Sequence, residues 1–263
     1  MTDIFMHIYK LCAITTKKPQ NMNRNDLAKA HIKNRLQLRK ALSQQKLLLN
    51  SSIKTGNKLQ EYLSIRIYIL LYVAYLETSL NYLLYHYHKQ LHEKDLEKML
   101  SETSQEKRWQ KLLEFSFRSN FLNKKETKNL DLIDLGHTNY HRYVYIKQLL
   151  DNEITSFIGI RNKLAHGQWA IALNNEGTDK VQETTTKIWT LSKKECLHVK
   201  NIIDNFLSLM EAVVASKINF GNTYDTLVHK IEFTKRTHSV SYNWIINDMK
   251  RRFEAFDRQV VKK

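Results

Sequence analysis

Pro19 is the only proline in 263 residues, and six glycines are spread thinly along the chain. So few breakers do not supply the frequent turns of a many-stranded β fold, and long helices are the expected outcome. Apolar residues make up 42% of the chain, enough to bury a core, and thirteen Tyr and ten Phe add bulk to it. The expected class is mainly all-α.

Hydrophobic periodicity locates the elements. Residues 24–50 carry a rough apolar stripe (Leu27, Ala28, Ile32, Leu36, Leu38, Leu42 and Leu49) among Lys and Arg, and residues 51–57 read as a break. Residues 61–92 read as one helix, apolar almost all round and therefore central to a bundle. Its densest run, residues 67–76, is too short to span a bilayer and is flanked by Arg66 and Glu77, so a buried helix is expected and no membrane partner. The tyrosines at 68, 72, 75, 82 and 85 repeat at helical spacing and are expected in the core. Residues 93–114 are charged, with Trp109, Leu112 and Leu113 as an apolar edge, and the helical pieces of residues 123–150 are separated near Gly136.

A further helix is expected over residues 151–166, capped by Asp151 or Asn152, with Ile154, Phe157, Ile158 and Ala165 on or near one apolar face. Gly167 stands where a helix ends in a left-handed turn. Residues 168–173 and 183–191 then read as two strands joined by the turn residues 174–177, a small β-hairpin. Ser192 with Glu195 fits a capping box opening a helix that runs to about residue 216. Residues 223–258 read as helical and basic.

The formal net charge of +16 is uneven. Residues 1–60 hold 12 Lys and Arg against 2 Asp and Glu, residues 61–216 hold 20 against 19, and residues 217–263 hold 10 against 5. The expected organisation is a basic N-terminal helical arm (1–60), a helical bundle (61–216) with its hairpin at about 168–191, and a basic C-terminal extension (217–263). A near-neutral body with basic ends points to a polyanion, most simply RNA. Two isolated cysteines, Cys12 and Cys196, form neither a disulfide framework nor a zinc site and suit a reducing compartment, and the first residues make a poor secretory signal. A cytoplasmic protein is expected. There is no phosphate-binding glycine loop, no HExxH and no zinc-spaced cysteine pair, and His88 and His92 lack an evident third ligand. Neither a cofactor nor a metal is expected.

Chemistry concentrates at residues 161–167, RNKLAHG. An Arg and a His with four to six residues between them arise by chance about once or twice in such a chain, and Arg24–His31 is a second such pair. Context separates them: an apolar helix precedes Arg161 and another long helix follows His166, whereas Arg24 and His31 lie in the basic arm. Cutting RNA without a metal requires a base for the 2′-hydroxyl proton, an acid for the leaving 5′-oxygen and a cation at the crowded phosphate. Imidazole titrates near neutrality and suits the first two tasks. Guanidinium is permanently charged and grips phosphate with paired hydrogen bonds. The dipole at a helix C-terminus favours a cation. Five residues along a helix give about 7.5 Å of rise and roughly 140° of rotation, so one helix aims the two groups poorly at a single atom and a two-fold dimer remedies this.

RNKLAHG resembles the signature of the HEPN superfamily, with Asn162 after Arg161 and with Ala165 and Gly167 around His166. The resemblance covers about residues 61–216. It implies a HEPN-like helical bundle and a homodimer with a composite site at its interface. The implied activity is that of a metal-independent endoribonuclease, a toxin or anti-phage abortive-infection effector with a possible antitoxin or defence-system partner. Arg161 and His166 would catalyse, Asn162 would orient His166, and Glu77, a carboxylate inside an apolar stretch, would pair with Arg161, as some HEPN nucleases add an acidic residue near this pair. Position 169 is Trp, not the Tyr at which some HEPN toxins are silenced by nucleotide transfer. The competing expectation is a non-catalytic HEPN-like module that binds RNA or a protein.

Overall fold

The structure, a computed structural model, describes residues 22–122, 130–238, 247–252 and 254. It is mainly helical: α1 (Arg24–Thr55), α2 (Lys58–His86), α3 (Glu93–Leu100), α4 (Gln105–Phe121), α5 (Leu132–Leu149), a π-helical turn (Leu150–Ile154), α6 (Thr155–Ala165), α7 (Gln182–Trp189), α8 (Lys193–Ala215) and α9 (Lys217–Thr237). Cys12 lies outside the described residues.

The centre is α2, packed against α1, α4, α6 and α8. Fifteen of its residues are buried, among them Tyr68, Tyr72, Tyr75 and Tyr82, so four of the five tyrosines are core as their spacing implies, while Tyr85 is only half-buried. The helix outruns the apolar run read in sequence. It is long and apolar enough to cross a membrane, and 61% of its apolar window is buried inside the fold. Lengthwise against it lies α1. Leu42, Leu49 and Ile53 of α1 enter the common core, while Ile32 and Leu36 of the same stripe stay exposed. The break is tighter than residues 51–57: α1 continues to Thr55 and stops at Gly56, with φ of 70°. Trp109, Leu112 and Leu113 of α4 are fully buried, and Trp109 meets Phe206 of α8 edge to face at 5.1 Å. On α8, Ile202, Phe206, Leu209 and Val213 form the buried stripe.

Local signals hold at several ends. Ser192 caps α8, its Oγ accepting from the Lys194 amide and also bonded to the Glu195 carboxylate. Gly136 interrupts α5 with φ of 70° and ψ of 160°, a conformation that costs a side-chain-bearing residue dearly. Two expectations fail. Neither Asp151 nor Asn152 caps a helix start, because α5 passes through the π turn into α6 without a break. Asp151 instead accepts from Lys147 at 2.6 Å and Gln110 at 3.0 Å. On α6 the buried positions are Phe157, Ile158, Ile160 and Leu164, while Ala165 is exposed.

The expected β-hairpin is also absent. Among the described residues there is no strand, only an isolated antiparallel bridge between Leu173 and Lys180 around a turn in which Asn174 Oδ1 accepts from the amides of Thr178 and Asp179. The second supposed strand is α7. Its Thr and Ile favour strands intrinsically, but Thr185 and Ile188, three apart, bury on one helical face, and burial outweighs propensity.

Arg66 completes that corner and carries no signal in the sequence beyond flanking an apolar run. It is 1% exposed, its guanidinium lies 3.4 Å over the Tyr62 ring, and Nη2 donates to the Ile188 carbonyl at 3.0 Å near the C-terminus of α7, where a cation is favoured. Arg66→Ala should lower unfolding stability by about 3 kcal/mol, the upper range for a charge-assisted buried hydrogen bond. Denaturant titration measures it, and a loss below roughly 1 kcal/mol would contradict this account.

Candidate active site

The end of α6 is a Schellman turn. The Gly167 amide donates to the Leu164 carbonyl at 3.2 Å and the Gln168 amide to the Lys163 carbonyl at 2.9 Å. Gly167 has φ of 75°, which favours glycine there. Trp169 Nε1 donates to the Leu164 carbonyl at 2.8 Å, and the Trp169 carbonyl accepts from the Tyr62 hydroxyl at 3.2 Å. The turn is thus tied both to its own helix and to α2. His166 is the C-cap residue, with φ of −89° and ψ of 18°, off the helical path, and it is exposed together with Ala165 and Gly167. Among the described residues no core side chain covers the motif's end.

Arg161 sits one turn earlier and faces α2. Its Nη2 donates to Glu77 Oε2 at 2.8 Å, and its Nη1 donates to Asn162 Oδ1 at 3.0 Å. Arg161, Glu77 and Asn162 are therefore joined, across 84 residues of sequence in the case of Glu77. All three are only partly exposed. Asn162 differs from the sequence expectation. Its side chain holds Arg161, and its link to His166 is the backbone hydrogen bond from the His166 amide at 3.1 Å. The other Arg–His pair has structural partners: Arg24 is ion-paired with Glu93, and His31 stacks on Tyr85 at 5.5 Å.

Burial pushes the Glu77 carboxyl above the ordinary carboxylate range; Arg161 opposes that shift and Glu106 adds to it. A raised folded value means that ionised Glu77 costs stability: its contribution is present below the unfolded value and lost as pH rises through the folded one. The titration of Glu77, followed by carboxyl NMR, should lie above the ordinary carboxylate range, and Arg161→Ala should move it further up because the lowering influence is gone. A downward move in that variant would break the assigned pairing.

Elsewhere, the Cys196 thiol is buried and pushed up to about 12, which suits packing better than nucleophilic chemistry. Among the described residues no group of three or more His, Cys, Asp or Glu is placed to hold a metal. The chain matches no family model, no curated protein and no solved structure.

Proposed function

We propose that the chain is a metal-independent endoribonuclease of the HEPN type, acting in the cytoplasm as a toxin or anti-phage effector and working as a homodimer. The observation that carries this reading is the linked set Glu77–Arg161–Asn162 one helical turn before an exposed His166. Glu77 and Asn162 hold the guanidinium by two of its donors and leave the others for a phosphate. His166, on a backbone fixed by the Schellman turn, takes the 2′-hydroxyl proton or protonates the 5′-oxygen. The same two groups of a second protomer complete the site in the dimer. Glu77 and Asn162 are positioning residues; Arg161 and His166 are the catalytic ones.

The test is incubation of the purified chain with total RNA in EDTA, beside His166→Ala. Cleavage should persist in EDTA, require His166, and leave 2′,3′-cyclic phosphate or its opened product. Activity that EDTA abolishes and magnesium restores would overturn the metal-independent reading. A second reading, a HEPN-like module that binds RNA or a protein without cutting it, is favoured by the commitment of Arg161 to Glu77. It predicts RNA binding without products and no dependence on His166.

A further inference from the structure

On the opposite side of α2 from Glu77, a cavity of about 450 Å³ opens between α1, α2 and α8. That volume lies within the roughly 300–1,000 Å³ of small-molecule sites and far exceeds what a single water needs. Arg35, Arg39 and Lys46 of α1 line one wall. None of the three forms an ion pair among the described residues. The two guanidiniums converge on one phenol: Tyr75 Oη accepts from Arg39 Nε at 3.0 Å, Arg39 Nη2 at 2.7 Å and Arg35 Nη2 at 3.3 Å. Arg35 Nε is buried with no partner.

The floor and far wall complete the pattern. Tyr68 is 4% exposed and lines the cavity, yet its hydroxyl has no hydrogen bond among the described residues. On α8, Asp204 is engaged by Tyr72 at 3.1 Å and Lys200 at 2.9 Å, while Glu211 accepts from Tyr87 at 3.3 Å. Each carboxylate still has lone pairs to offer. Cations without an ion pair that share a phenol (Arg35 also lies over the Tyr82 ring at 4.2 Å), a second phenol lining the cavity and carboxylates opposite them form a set that lacks an anion on one side and hydroxyl donors on the other. An RNA backbone threading the cavity would meet the two carboxylates, so an extended polyanion suits it poorly.

We propose that this cavity binds a small organic phosphate carrying hydroxyl groups, its phosphate on Arg35, Arg39 and Lys46 and its hydroxyls toward Asp204 and Glu211. Arg and Lys supply the charge-assisted bonds that phosphate recognition needs. Carboxylates accept sugar hydroxyls, as the acidic residue does in dinucleotide sites. The site is separate from the Arg161 centre and does not depend on that centre's being catalytic.

Calorimetric titration of the full chain with ribose 5-phosphate, ATP, pyrophosphate and adenosine tests the proposal and separates sugar-phosphate from nucleotide sources. Ribose 5-phosphate, ATP or both should bind more tightly than pyrophosphate, and adenosine should not bind. The double variant Arg39→Ala/Lys46→Ala alters two exposed side chains, which spares the core, and should weaken binding at least tenfold with an unchanged circular dichroism spectrum. Arg161→Ala should bind as the wild type does. Absence of binding by every phosphate-bearing probe, or unchanged affinity in the double variant, overturns the proposal. Pyrophosphate as tight as the organic phosphates overturns the hydroxyl contacts. Displacement of bound ATP by a short single-stranded RNA at equal phosphate concentration replaces the cavity ligand with RNA.

Discussion

His166→Ala and Arg161→Ala should each reduce RNA cleavage by about 10²–10⁴-fold, the range of a positioned acid–base group, and the double variant should be hardly worse than either single one. Groups that act on one phosphate work only in the geometry each sets for the other, so their losses do not add. Arg161→Lys should fail nearly as badly. A point charge cannot keep the Glu77 and Asn162 bonds of the guanidinium and present paired donors to phosphate as well. The fold should survive, because His166 is exposed and Arg161 only partly buried; thermal melting verifies this. Arg24→Ala and His31→Ala form the internal control. Their partners, Glu93 and Tyr85, make them structural, so they should shift stability slightly and leave cleavage intact. Loss of cleavage in His31→Ala with retention in His166→Ala would show that the pair is misassigned. Retention in all four would remove the assignment of cleavage to residues 161–167 and with it the HEPN-type reading.

Removal of residues 1–55 should yield an insoluble or unfolded chain, not a folded bundle with weaker RNA affinity. Leu42, Leu49 and Ile53 of α1 are nearly fully buried, and burial of three such side chains contributes about 5–9 kcal/mol. That is comparable with the whole net stability of a domain, about 5–15 kcal/mol. The loss would also uncover α2, which is apolar almost all round. A truncated chain that is soluble and melts cooperatively would contradict this. The contribution of the basic charge to RNA binding is better read by neutralising exposed positions such as Lys33 and Lys40 to Gln, which should flatten the salt dependence of affinity without unfolding the chain.

The sequence by itself determined what is local. Scarcity of proline and glycine set the helical class, Gly136 and Gly167 marked backbone conformations that a side chain opposes, and Ser192 announced the start of α8. These depend on neighbours a few residues away, whose energies the order of residues already contains. Glu77 as a partner for Arg161 was legible only as a carboxylate needing compensation in an apolar stretch; the 2.8 Å contact is a product of how α2 and α6 cross. Asn162 turned to its chain neighbour Arg161 and not to His166, while the same guanidinium reaches across to Glu77 of α2. Charge pattern made residues 1–60 look like an arm although α1, which lies within them, packs on α2, since a basic exposed face reads the same whether or not the opposite face is buried. Thr185 and Ile188 looked like strand residues until a core was present to receive them on one helical face. The cavity of Arg35, Arg39 and Tyr68 joins residues of α1, α2 and α8 that no spacing relates. In each case the deciding free energy is burial or ion pairing between distant segments, and it exists only once the tertiary packing has brought them together.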